Sequence, residues 1–311
     1  MRSSRCLVFA ALLACSRHDP APSVKPAQAA APVSSQEAPA RASLEVPARQ
    51  RYSPPDLAPG ERRPLLLFLH GLGSSGRVAF DGLGLQKLAE RERIHLVAPD
   101  GTLDARGRRF WNAHPACCDF EQKGIDDVGR LGALLASLGA EPNVDPRRLY
   151  VAGFSNGGFM AHRLACERGE LIAAIASLAG VGPASGAACK PSNLAVLEVH
   201  GDADNIVSYD GGHLFGRAEM PSHASARETF QDWARRFGCS GQPRSGDALD
   251  LDQTLPGAET ETSSFEGCPG GSVALWTVRG GKHAIGADPA FAQQIWAYLS
   301  KHVKPRLESA P

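Results

Sequence analysis

A serine, an aspartate and a histidine, far apart in the chain, occupy positions suited to acyl transfer. The serine lies in "RLYVAGFSNGGFMAHRLACE" (Arg148–Glu167), where Gly153-Phe154-Ser155-Asn156-Gly157 separates a strand-like run from a helix-like one. Outer glycines permit a sharp strand-to-helix turn that lifts a hydroxyl to the top of a sheet. A serine hydroxyl attacks poorly until a base takes its proton, so this chemistry demands a histidine held by a carboxylate further along the chain. After "LAVLEVH" come Gly201-Asp202-Ala203-Asp204-Asn205, and after "VALWTV" come Arg279-Gly280-Gly281-Lys282-His283. His283 follows two glycines that let a loop swing across the sheet top, which suits a general base. Asp202 and Asp204 compete for the acid, and spacing alone does not choose between them. His200, His213 and His223 rank below His283, since they equally suit solvating a loop or supporting the acidic turn.

Acyl transfer also needs donors for the oxyanion, usually the amide after the nucleophile and one from the loop after an early strand. Those are Asn156 and, in the "HGLGSSG" loop, Leu72 or its neighbour. A phosphate cradle is disfavoured, because that loop has neither GxGxxG nor a GK[ST] ending. Phe110, Trp111 and Cys117-Cys118 lie in the long segment after "HLVAPDGT", where they either line a substrate pocket or simply pack and staple. Asp126-Asp127 are expected to cap the following helix.

Positioning these groups requires a sheet. From Pro64 onward apolar runs alternate with helical patterns, the signature of a mostly parallel sheet with crossover helices. Strands are expected at "PLLLFLH", "HLVAP", "RLYVAGF", "AAIASLA", "LAVLEVH" and "VALWTV". Helices are expected at about Val78–Arg91, Asp127–Leu138, Asn156–Glu167, Ala224–Phe237 and Pro289–His302. Ser155, both aspartates and His283 then all follow strands, where such sheets bind ligands. The order Ser, Asp, His is that of the α/β-hydrolase fold, expected here as a single domain with helices on both sheet faces.

With 311 residues, 43% of them hydrophobic, the chain can bury one large α/β core. Its 33 acidic and 33 basic residues cancel without a basic cluster, so no nucleic-acid partner is expected. Residues 1–15 have a different character. Arg2 and Arg5 precede the short apolar run "CLVFAALLA", too short to span a membrane and suited to a secretory signal. Its end, Leu12-Leu13-Ala14-Cys15, resembles a bacterial lipobox, in which Cys15 would carry the lipid and form the chain's membrane contact. Residues 16–47, rich in Ala, Pro and Ser, read as a disordered tether. The folded domain is placed at 48–305 and a short tail at 306–311. Export, to a cell envelope or beyond, would favour disulfides, with Cys239 expected to pair with Cys268 and Cys166 with Cys189. Cys117 and Cys118 would bridge each other or stay reduced. No zinc-ligand spacing is present, so no metal is expected.

From about Arg51 to His302 the chain resembles secreted esterases grouped with polyhydroxybutyrate depolymerases and the related feruloyl and acetylxylan esterases. The likeness rests on "LLFLHGLGSSG", "APDGT", "RFWNAHPACCDF", "IDDVGRLGALL", "VDPRRLYVAGFSNGGFMAHRLACE", "VHGDADNIVSYDGG" and "GGKHAIG". In that family the acid closes an H-G-x-x-D turn, which falls on Asp204. The resemblance implies a serine esterase using Ser155, His283 and Asp204 through an acyl-enzyme, without a cofactor. Its substrate would be a small or oligomeric ester of short-acyl, acetyl, feruloyl or hydroxyalkanoate type. A peptidase or amidase with the same residues, or a binding protein on a hydrolase scaffold, is the alternative. The oligomeric state is not legible.

Overall fold

The computed structural model describes residues 44–183, 186–189, 192–284 and 289–305. The expected signal segment with Cys15, most of the expected tether and the tail 306–311 lie outside the described residues.

In chain order the strands are β1 (Arg51–Tyr52), β2 (Arg63–Leu69), β3 (His95–Val97), β4 (Thr102–Leu103), β5 (Arg109–Phe110), β6 (Val144–Phe154), β7 (Ala174–Leu178), β8 (Leu194–Gly201), β9 (Gly212–His213), β10 (Ser222–His223), β11 (Arg244–Ser245), β12 (Thr260–Cys268) and β13 (Gly271–Val278). The helices are α1 (Gly76–Gly82), α2 (Leu85–Glu92), α3 (Asp127–Gly139), α4 (Asn156–Arg168), α5 (Ala226–Arg236) and α6 (Pro289–Leu299). Nine strands form one sheet in the order β1-β3-β2-β6-β7-β8-β13-β12-β11. Its centre, from β3 to β13, is parallel, and β1, β12 and β11 add antiparallel edges.

Alternation along the strands supplies two cores. On β2, Leu65, Leu67 and Leu69 face one core while Leu66 and Phe68 face the other. The first is closed by α3, α4 and α5 through Leu131, Leu135, Phe159, Leu164, Phe230 and Trp233. The second is closed by α1, α2 and α6 through Phe80, Leu85, Leu88, Ile295 and Trp296. Because both faces are covered, the central strands read as unbroken apolar runs.

Four features differ from the sequence expectation. The helix expected at Val78–Arg91 is two helices, separated at Leu83–Gly84, where glycines on both sides of Leu83 weaken helix formation. Strand β12 was not anticipated; it is a half-exposed strand whose Thr, Ser and Glu residues give no apolar run. Likewise unanticipated were the two-residue strands at the edges and in the small hairpins β4–β5 and β9–β10. Finally, packing begins before residue 48: Leu44 is buried in the first core and Val46 lies against it, so the end of the proposed tether joins the folded body.

Disulfides join Cys117 to Cys118, Cys166 to Cys189 and Cys239 to Cys268. The second ties α4 to the segment before β8, with Cα atoms 4.4 Å apart. The third ties the segment after α5 to the end of β12, with Cα atoms 4.7 Å apart.

Candidate active site

Ser155 sits between β6 and α4 with φ 54° and ψ −118°, a conformation that side-chain-bearing residues rarely adopt. Its neighbours hold it there. The Ser155 amide donates to the Leu178 carbonyl (2.7 Å), and the Ser155 carbonyl accepts from the Phe159 amide (3.0 Å). A Cβ on Gly157 would lie 2.0 Å from the Leu69 carbonyl oxygen, and one on Gly153 2.2 Å from the Gly157 oxygen. Only glycine at both positions lets α4 start this close to β2 and β6.

His283, after β13, brings Nε2 to 2.9 Å from Ser155 Oγ and Nδ1 to 2.7 Å from Asp204 Oδ2. Asp204 is fixed from its other side, where Oδ1 accepts the amides of Ile206 (2.8 Å) and Val207 (3.0 Å). Burial alone would raise the Asp204 carboxyl, but hydrogen bonds with His200 and His283 outweigh it and hold the group well below the usual carboxylate range. Asp202 lies elsewhere. It accepts from the Gly280 amide (2.6 Å) and pairs with Arg279 (3.1 Å), so it clamps the turn after β8 to the turn after β13.

Asn156 is the first residue of α4, where a helix leaves its amides without intrahelical acceptors. Leu72 lies in the loop beyond β2 and lines the same cavity as Ser155. His70 shapes that loop. Its Nδ1–H donates to the Gly71 carbonyl (2.8 Å), and its Nε2 accepts the Gly101 amide (3.0 Å). An amide can only donate, so His70 is neutral with its proton on Nδ1, and burial holds its pKa down.

Phe110 and Trp111 require a correction, because neither lines the cavity beside Ser155. Both are buried in the first core. Trp111 Nε1–H donates to the His70 carbonyl (3.0 Å), and its backbone pairs with the Asn156 side chain at 2.7 and 2.9 Å. The hairpin β4–β5 turns these aromatics inward, where they brace the two loops that flank Ser155. Of the residues singled out in the sequence, Leu72 and the Cys117-Cys118 pair do line the cavity, and the rest of its wall comes from residues that the sequence did not single out. Leu72, Phe120, Phe154, Ile206, Leu214 and Phe215, together with the Cys117–Cys118 disulfide, surround a space of about 600 Å³ reaching Ser155 and His283. Phe120 and Phe215 are exposed at its rim. Their only sequence signal was an aromatic in a polar stretch.

Asp126 caps α3 by accepting the Gly129 amide (2.8 Å), whereas Asp127 is buried and accepts the Asn112 amide (2.8 Å). Among the described residues, no group of three or more His, Cys, Asp or Glu side chains is arranged to hold a metal ion, and no helix is long and apolar enough to cross a membrane.

Comparison with known proteins places this geometry in context. The chain is 32% identical to "Feruloyl esterase B" of Piromyces equi over 229 residues, which cover 72% of the chain and 40% of that enzyme. It therefore spans well under half of that relative. It is 31% identical to "Putative esterase NocK" of Nocardia uniformis over 249 residues, covering 76% of the chain and 69% of that protein. The solved structure of an acetyl xylan esterase from Aspergillus awamori superposes with a TM-score of 0.57 at 14% identity, covering 80% of this chain and 92% of that one, which is a likeness of fold. A model of the family described as Phospholipase/Carboxylesterase matches residues 58–230. That match, over more than half of the chain and together with the 31% identity to NocK, assigns the chain to the phospholipase/carboxylesterase family of α/β-hydrolases.

Proposed function

We propose that the chain is an exported serine esterase, and the observation that carries this is Ser155 Oγ at 2.9 Å from a histidine whose other nitrogen lies 2.7 Å from a buried carboxylate. Ser155 Oγ attacks the ester carbonyl carbon while its proton passes to His283 Nε2 and the carbonyl electron pair moves onto oxygen. The amides of Asn156 and Leu72 would hold that oxyanion. Asp204 keeps His283 in the tautomer that accepts at Nε2 and stabilises the imidazolium formed. Collapse expels the alcohol, which leaves with the proton from His283. Water, deprotonated by the same nitrogen, then releases the acid and restores Ser155.

The cavity supports a substrate class. A space of about 600 Å³ with aliphatic and aromatic walls suits one short-acyl or hydroxycinnamoyl group. The names of the relatives, feruloyl esterase and acetyl xylan esterase, support the same class. Initial rates on p-nitrophenyl acetate, butyrate and palmitate, on methyl ferulate and on polyhydroxybutyrate granules test it, with Ser155→Ala as blank. Acetyl, butyryl or feruloyl esters are expected to be cleaved at least about tenfold faster than palmitate or granules, in keeping with the name of the feruloyl esterase relative and with the aromatic rim that Phe120 and Phe215 give the cavity. A higher palmitate or granule rate would refute the assignment.

Three disulfides fit an oxidising compartment. With the signal-like start and Cys15, they support export on a lipid anchor and a polar tether. Cys15→Ser is then expected to move the protein from the membrane fraction to the soluble one, and mass spectrometry of the mature N-terminus checks this. An unmodified N-terminus on soluble wild-type protein would leave secretion without an anchor.

A further inference from the structure

Behind Asp204 a line of buried polar groups runs into the first core, and the catalytic reading above makes no use of it. Trp233 Nε1–H donates to His162 Nδ1 (3.0 Å), so that nitrogen carries no proton, and His162 Nε2–H donates to Glu198 Oε2 (2.8 Å). The other oxygen, Glu198 Oε1, lies 2.9 Å from His200 Nδ1. On its far side His200 Nε2 meets the Val207 carbonyl at 2.8 Å and Asp204 Oδ2 at 3.3 Å. A carbonyl can only accept, so Nε2 carries a proton. Trp233, His162, Glu198 and His200 all have 0% exposure.

A buried carboxylate survives only when hydrogen-bonded and charge-compensated. Glu198 has two histidines to choose from, but Trp233 has already fixed His162 as neutral. The compensating proton therefore belongs on His200 Nδ1. Asp204, ionised and 3.3 Å from the opposite edge of the same ring, favours that state too.

We infer that Glu198 and His200 form a buried ion pair that acts on the triad through Asp204, with His200 a positioning residue that holds Asp204 ionised and aimed at His283. Glu198 supplies the counter-charge that keeps a cation there, so the pair adds none to the site as a whole. The pair rests on geometry alone; its effect on turnover rests on the esterase reading. Because His200 is nearer to His283 through Asp204 than Glu198 is, the pair also weakens the field that would hold a proton on His283.

The groups that face His200 agree with this state. Glu198 on its own strand and Asp204 from the following loop are anions. Tyr209 packs its ring edge-on, with the Arg227 guanidinium of α5 on that ring. His223 of β10 is kept neutral by burial, with its Nδ1 on the Ala224 carbonyl, and His162 of α4 is neutral by its tautomer. Burial would drive the His200 proton off, but the hydrogen bonds and charges of Asp204 and Glu198 prevail and push its pKa up to about 10.

Two measurements on the full chain test the inference. In a ¹⁵N NMR titration of wild-type protein both ring nitrogens of His200 are expected to be protonated at pH 8, well above the ordinary histidine range. In Glu198→Gln the side-chain shape and its bonds to both histidines persist, but His200 loses its counter-ion and becomes neutral. The acid limb of kcat/KM against pH, which reports the base of the free enzyme, is then expected to move up by about half a unit or more, with KM for short esters unchanged. A purely structural role would lower the melting temperature and leave the limb in place. His200 neutral at pH 8, or an unmoved limb in a folded Glu198→Gln protein, overturns the inference. The titration uses wild-type protein and needs no ester turnover, so it decides the ion pair even if the variant does not fold. Failure of the esterase reading would show separately, as no turnover by wild-type protein.

Discussion

Ser155→Ala and His283→Ala are each expected to lower kcat/KM for p-nitrophenyl acetate by about four to six orders of magnitude, with the melting temperature close to wild type. The two side chains share one hydrogen bond of 2.9 Å, and either loss stops the same proton transfer. Groups that act as a unit lose nearly everything with the first removal, so the double variant is expected to fall little further than either single one. Folding is little affected because truncating Ser155 to alanine keeps the Cβ and the backbone bonds to Leu178 and Phe159. A fluorophosphonate probe adds an independent readout, since it labels an activated serine and is expected to mark Ser155 in wild type alone. Turnover within tenfold of wild type for a folded Ser155→Ala protein would remove Ser155 from the chemistry.

The second large effect separates two aspartates that sit two positions apart. Asp204→Asn is expected to lower kcat by about 10⁴-fold, because an amide in place of Oδ2 selects the wrong imidazole tautomer. Asp202→Asn is expected to stay within about tenfold, since Asn can still accept from the Gly280 amide and only the pair with half-exposed Arg279 is lost. Stability follows the same residue. The folded-state pKa of Asp204 is depressed, so its contribution is present above the unfolded value of about 3.9 and is lost as pH falls through the folded value. Thermal melts of Asp204→Asn against wild type are therefore expected to differ most at neutral pH and to converge in strong acid. If Asp202→Asn were the more damaging change to kcat with both proteins folded, the acid would be misassigned.

Much of the fold was legible because buried parallel strands must be apolar on both faces. "LAVLEVH" and "RLYVAGF" leave little choice of conformation, and β8 and β6 occupy those residues within a few positions. The edge was illegible for the converse reason. Largely half-exposed, and flanked by β13 on one side but only by the two-residue β11 on the other, β12 needs no apolar run, and its Thr, Ser and Glu residues look like a loop until β13 pairs with them. Glu198 shows a subtler limit. In "LAVLEVH" it is a lone acid in an apolar strand, and only the fold reveals His162, 36 residues earlier, and His200 on its two oxygens.

By itself the sequence determined the candidate groups and their order along the chain: a serine at a glycine-bracketed turn, an acidic turn after one strand and a histidine after the last. Those are local properties, set by backbone sterics at Gly153 and Gly157 and by strand ends that bring loops to one edge of a sheet. Tertiary structure decided what depends on distance between remote segments. It set Asp204, which the family resemblance had indicated and spacing alone had left level with Asp202, against His283, because the turn after β8 directs one carboxylate inward and ties the other to Arg279. It turned Phe110 and Trp111 into bracing for the loops and gave the cavity wall to Phe120, Phe154 and Phe215. An aromatic residue gains by burial wherever it finds a partner, so its type foretells that it will pack, while the direction in which its strand faces decides against what.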